Sequence, residues 1–157
     1  EFGKKLKMII DGGQCKIGIE STVVDLTDGV KILRPGFISD SKIKNLLNLK
    51  VSFIRNFKKI KSPGVLKKHY SPGIPVKLNQ KKNYKDSAFI IFGKKYCKAK
   101  NTFNLSKNSN LNEAAKNLYK IFRIIKNRKY KKIYVVKIPK KGIGLAINDR
   151  LKHAASK

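Results

Sequence analysis

The chain has 157 residues, 41% of them hydrophobic, and carries 38 Lys and Arg against nine Asp and Glu, for a formal net charge of +29. That length suits one ordinary domain or two small ones, with a core large enough to need no disulfide staples. No apolar run approaches the ~20 residues needed to span a bilayer, and no secretory leader is visible. Cys15 and Cys97 match no metal spacing, so both read as reduced thiols of a cytoplasmic protein without membrane contact.

The first residue, Glu1, is not methionine, which suggests a fragment or a processed product. The charge invites a nucleic-acid reading, since clustered cations release counterions from phosphates. Only Arg34, Arg55, Arg123, Arg128 and Arg150 are arginines, however, and the remaining basic residues are lysines scattered along the whole length. Arginine is the side chain that bidentate phosphate recognition favours. A generally basic, solvated surface is the preferred reading, and a non-enzymatic basic RNA-binding module is the alternative.

In chain order, KLKMIID (5–11) reads as a short buried strand ending in the Gly12-Gly13 turn. STVVDLT and VKILR flank Asp28-Gly29, which predicts a hairpin with a two-residue type I′ turn. Such a turn pairs Thr27 with Val30 and, carried back unchanged, Val23 with Arg34. Ser21 then shares a face with Arg34, one diagonal step of about 7–8 Å away. A hydroxyl and a guanidinium so placed suit an anionic ligand. The plainer reading is that Ser21 starts a strand and Arg34 caps an exposed edge.

SDSKIKNLLNL (39–49) predicts a short helix capped by Ser39 or Asp40, with apolar positions 43, 46 and 47. VSFI (51–54) predicts a strand. From Lys58 to Pro75, prolines and glycines without sustained periodicity mark a linker, which also carries His69 and Tyr70.

The remaining residues read as a second α/β unit. PVKL (75–78), SAFIIFG (87–93) and NTFNL (101–105) predict strands, and KIYVVKIP (132–139) predicts one buried on both faces. Asn110 to Asn127 predicts the clearest helix, with apolar residues at 111, 114, 115, 118, 122 and 125. Asn110 and Glu113 form a capping-box pattern. GIGLAINDRLKHAA predicts a terminal helix with Ile147, Leu151 and Ala154 inward. Alternating strands and helices predict an open, mostly parallel, Rossmann-like α/β sheet. Gly142 and Gly144 ahead of that helix could cradle a phosphate, but they lack the rest of a dinucleotide fingerprint, so close helix–strand packing is the preferred account. Asp11 and Asp25 read as a turn cap and a strand-edge residue, and His153 as a surface residue.

Three stretches together carry a family resemblance. DGGQCKIGIESTVVDL followed by ILRPGFIS resembles the C-terminal part of the catalytic domain of the Sua5/YrdC/YwlC family, the threonylcarbamoyl-AMP synthases. SPGVLKKHYSP resembles the linker of its longer members, with Val65, Leu66 and Lys67 where Met-Lys-Tyr is usual. IYVVKIPKKGIGLAINDRLKHAA resembles the end of their C-terminal domain.

The resemblance implies three segments: the later part of a YrdC-like α/β catalytic domain (1–57), an active-site linker (58–75) and a C-terminal α/β domain (76–157). It implies that L-threonine, bicarbonate and ATP, with magnesium as a possible companion, are condensed to threonylcarbamoyl-AMP and pyrophosphate. The product then passes to a transferase complex that modifies tRNA beside the anticodon. Ser21 and Thr22 would contact threonine, and Arg34 and Tyr70 would contact the nucleotide. No catalytic nucleophile is implied. The family's preceding basic and Ser-Ala-Asn motifs lie outside this sequence, so the chain alone is expected to be inactive.

Overall fold

The structure is a computed structural model that describes residues 5–13, 15–54, 71–96 and 100–156. Most of the expected linker, with His69 and Tyr70, lies outside these residues, as does Cys97.

A small three-stranded sheet comes first, in the order β1 (Val23–Asp25), β2 (Val30–Arg34), β3 (Val51–Phe53). β1 runs antiparallel to β2, and β3 runs parallel to it. Between β2 and β3, α1 (Asp40–Leu47) starts on Ser39, whose side chain accepts from the Lys42 amide. Asn48 ends it in a left-handed conformation with φ 51°. None of its residues is buried.

The second sheet has the order β4 (Val76–Lys77), β7 (Lys132–Val135), β5 (Ser87–Ile91), β6 (Thr102–Asn104), with every pair parallel. All five residues of β5 are buried, as a parallel strand covered on both faces requires. α2 (Leu111–Asn127) returns the chain from β6 to β7, and α3 (Gly144–Ala155) follows β7. Leu118, Ile121, Phe122 and Ile125 of α2 join Ile147, Leu151 and Ala154 of α3 in one apolar core with the sheet. The expected mostly parallel α/β architecture is thus present, with the strands and helices of this second unit lying within or close to the stretches that the sequence marks.

Three expectations need correction. Residues 5–11 form no strand, and Met8 and Ile10 are 78% and 87% exposed. An apolar run becomes a buried strand only beside a pairing partner, and none lies alongside it among the described residues. Asp11 does cap the following turn, accepting from the Gly13 amide at 2.8 Å.

The hairpin register is the second correction. Val23 faces Arg34 as expected, but Val24 faces Ile32 and Asp25 faces Lys31, with a shift between Val23 and Val24. Leu33 is therefore an extra residue on β2, a β-bulge. It explains why adjacent Ile32 and Leu33 are both buried, which a regular strand would place on opposite faces. The turn is also not type I′, which needs positive φ at both central residues. Only Gly29 has it, at 73°, and the Asp25 carboxylate organises the corner by accepting from the Thr27 amide and hydroxyl.

Third, the α2 capping box is extended by a hydroxyl. The Asn110 side chain accepts from the Asn112 and Glu113 amides. The Asn110 amide, however, donates to Ser106 Oγ at 2.9 Å, and Ser106 Oγ in turn donates to Glu113 Oε2 at 2.5 Å. Glu113 thus reaches the cap through Ser106.

Candidate functional site

The bulge brings the open end of the hairpin together. Arg34 donates from Nε to the Ser21 carbonyl at 3.2 Å and from Nη2 to Ser21 Oγ at 3.3 Å. The diagonal neighbours expected from the register are thus in direct contact. The Thr22 hydroxyl donates to the Ile38 carbonyl at 2.6 Å, which ties the strand entrance to the loop after Arg34-Pro35-Gly36. Gly36 permits the close approach: a Cβ there would lie 2.2 Å from the Thr22 amide nitrogen and 2.3 Å from the Ser21 carbonyl carbon. Ser21 is exposed, while Thr22 and Arg34 are half-buried. The result is a small corner presenting a hydroxyl beside a planar cation.

Two neighbours of these residues dock on the second sheet. Glu20 accepts from Tyr119 Oη of α2 at 3.1 Å and from Arg150 Nε of α3 at 3.0 Å. Arg150 Nη1 donates to the Pro35 carbonyl at 2.9 Å and to Asp149 Oδ2 at 2.8 Å. Burial works to raise the Glu20 carboxyl. The Arg150 hydrogen bond, a bond from its own amide, the Arg150 charge and the Tyr119 hydroxyl outweigh that and hold it below its ordinary value.

Sequence patterning missed Arg150, although the signal was present. Ile147, Leu151 and Ala154 mark the inward stripe, and position 150 belongs to the same stripe. A rare arginine on an inward face of a lysine-rich chain calls for a buried anion.

The other candidates separate from this corner. Gly144 packs against the strand end, where a Cβ would lie 2.1 Å from the Pro139 carbonyl. The Gly144 and Leu145 amides already donate to Lys141 and Gly142 carbonyls, so the helix start is a packing feature. His153 is half-buried and lies on Asp149, with Nδ1 2.9 Å from its carbonyl oxygen. A cavity of about 400 Å³ lies among Asp86, Asn101, Arg128, Lys129, Tyr130 and Lys131, and none of the expected site residues lines it. Cys15 is a free, exposed thiol. Among the described residues no three His, Cys, Asp or Glu side chains group to hold a metal, and no helix is long and apolar enough to cross a membrane.

These features define a class: a parallel α/β unit whose helices clamp the open end of a polar hairpin. A family model described as threonylcarbamoyl-AMP synthase, C-terminal domain, matches residues 38–156, and one described as telomere recombination matches residues 1–36. The chain belongs to the threonylcarbamoyl-AMP synthase C-terminal domain family.

It is 30% identical to the threonylcarbamoyl-AMP synthase of Pyrococcus abyssi (strain GE5 / Orsay), over 99% of this chain and 51% of that protein. It is 28% identical to the threonylcarbamoyl-AMP synthase of Bacillus subtilis (strain 168), over 94% of this chain and 48% of that protein. The crystal structure of P. abyssi Sua5 complexed with L-threonine matches with a TM-score of 0.85 at 28% identity, over 99% of this chain and 51% of that one. The chain spans about half the length of these relatives.

Proposed function

We propose that this chain supplies the later part of a threonylcarbamoyl-AMP synthase, in which the Ser21–Arg34 corner is one wall of the substrate cavity. Ser21 and Thr22 bind L-threonine, and Arg34 binds the nucleotide. Tyr70, outside the described residues, is a second nucleotide contact. The contact between Ser21 Oγ and the Arg34 guanidinium carries this reading. It sets a hydroxyl suited to an amino-acid substrate beside a fork suited to phosphate oxygens. The family membership and the threonine-bound state of P. abyssi Sua5 support threonine as the first ligand.

The reaction joins L-threonine, bicarbonate and ATP into threonylcarbamoyl-AMP and releases pyrophosphate. Attack on the α-phosphate needs alignment and charge neutralisation more than a protein nucleophile. Arg34 holds phosphate oxygens while Ser21 and Thr22 fix the threonine. Magnesium would accompany the ATP phosphates and help neutralise their charge. The product serves a transferase that modifies tRNA beside the anticodon, and the reaction is placed in the cytoplasm.

The test is pyrophosphate release from ATP with threonine and bicarbonate. A chain of the relatives' full length should turn over, whereas residues 1–157 alone should not. Arg34→Ala in the long chain should lower kcat/KM by about a hundredfold, and Tyr70→Ala should raise KM for ATP. RNA retention should barely change with Arg34→Ala, because one cation among 38 matters little to a diffuse electrostatic surface. Intact synthesis with lost RNA retention would instead support the basic RNA-binding module.

A further inference from the structure

We infer that Arg150 is the positioning residue of the Ser21–Arg34 corner, acting from the second sheet's last helix on the two segments that flank the open end of the hairpin. This deepens the reading given above and rests on it.

Arg150 is fully buried, with a side-chain exposure of 0%. Its Nε holds Glu20, the residue before Ser21, and its Nη1 holds the carbonyl of Pro35, the residue after Arg34. One rigid planar group thus grips the two chain segments on which the hydroxyl and the guanidinium of the corner are mounted. A guanidinium's donors are fixed relative to each other, so the grip sets a separation as well as supplying attraction.

The surroundings leave the grip little slack. Asp149 and Tyr119 hold the other sides of the cluster through Arg150 Nη1 and Glu20. Gly18 lies against α2, where a Cβ would sit 2.6 Å from the Lys116 Cα. Ile19 packs on the second sheet's core. Residues 18–20 are therefore seated on α2 and α3 directly before the corner begins. Nothing about stability alone requires a guanidinium there, because apolar packing could join two sheets without the desolvation cost of a buried charge. What the fork adds to apolar packing is a fixed spacing between the two segments it holds.

The experiment uses the full-length chain, with KM for threonine, kcat and Tm measured for Arg150→Lys and Glu20→Gln. Asn148→Ala serves as a comparison. Asn148 braces α3 by donating to the Ile138, Pro139 and Gly144 carbonyls, and it touches neither hairpin strand by those bonds. Asn148→Ala should lower Tm and leave KM for threonine unchanged. Arg150→Lys keeps the charge but loses the fork, and Glu20→Gln keeps the shape but loses the charge. Each should raise KM for threonine about tenfold or more at a temperature where the protein is folded. The two together should raise it by less than the product of the single effects, since both cut the same grip.

If Arg150→Lys and Glu20→Gln lower Tm as Asn148→Ala does and leave KM alone, Arg150 is structural and the inference is overturned. Arg34→Ala in the same series separates that failure from a failure of the site itself. Lost synthesis in Arg34→Ala with normal KM in the Arg150 and Glu20 variants rejects only the positioning role. Intact synthesis in Arg34→Ala rejects the corner and, with it, the inference.

Discussion

Glu20 is a carboxylate held ionised by what surrounds it, and the sign of its effect on stability follows. Its folded pKa lies below the ordinary value of 4.5 because the Arg150 and Tyr119 bonds outweigh burial. A depressed carboxylate contributes stability that is fully present above the unfolded pKa and disappears as pH falls through the folded one. Glu20→Gln should therefore be less stable than the unchanged protein at pH 7, and the gap should close as pH falls below ~4.5. Urea titrations of both proteins between pH 7 and pH 3 check this, and a gap that stays constant would deny Glu20 its ionic role.

The contrast between Ser21 and Arg150 shows what could be read at this scale. Ser21 and Arg34 were legible because a local turn relates them across a ladder with period two. The bond from Arg150 to Glu20 spans 130 positions and follows no period, so the helical spacing that could set position 150 inward holds no sign of its partner.

At the scale of elements, helices were more legible than the hairpin. α2 begins at the asparagine the sequence selects, because capping is a contact among neighbours in sequence. Its apolar stripe is buried at Ala114, Ala115, Leu118, Phe122 and Ile125 as spaced, with Leu111 half-buried and Ile121 buried as well. The bulge at Leu33 was not legible. A dipeptide such as Asp28-Gly29 predicts a turn, but the buried Ile32-Leu33 pair demands a local change of face, and the bulge supplies it. The bulge also leaves Val23 opposite Arg34, so the open end keeps its expected register while the turn end loses it. The relay from Asn110 to Ser106 to Glu113 allows a clean test. Asn110→Ala should cost about 1 kcal/mol in urea denaturation and leave the threonine affinity proposed for the corner unchanged. A loss of affinity would mean that the α2 cap reaches the corner.

Across the whole molecule the two sheets carry unequal cores, and this predicts unequal stability. Among the described residues, twenty-three buried apolar residues belong to the cluster around β4–β7, α2 and α3, whereas the small sheet buries only Val30, Ile32 and Leu33. α1 leaves Leu46 82% exposed, so the small sheet has little apolar cover of its own among the described residues. Local opening follows buried contact density. Amide hydrogen exchange on this chain should therefore be slowest in β5 and β7 and faster by orders of magnitude in β1 and β2.

The gradient within the hairpin is the sharper expectation. Its open end is seated on the large core through Gly18, Ile19, Glu20 and Pro35, while its turn end is held by Asp25, Asp28 and Lys31 at the surface. A hairpin usually frays from its open end, because the turn keeps the strands together there. Here the long-range grip reverses that order, and amides near Arg34 should exchange more slowly than those near Gly29. Arg150→Lys should restore the usual direction by releasing Glu20 and Pro35, without changing the protection of β5. Faster exchange near Arg34 than near Gly29 in the unchanged protein would mean that the small sheet stands on its own turn, and that the second sheet adds nothing to the order of the corner.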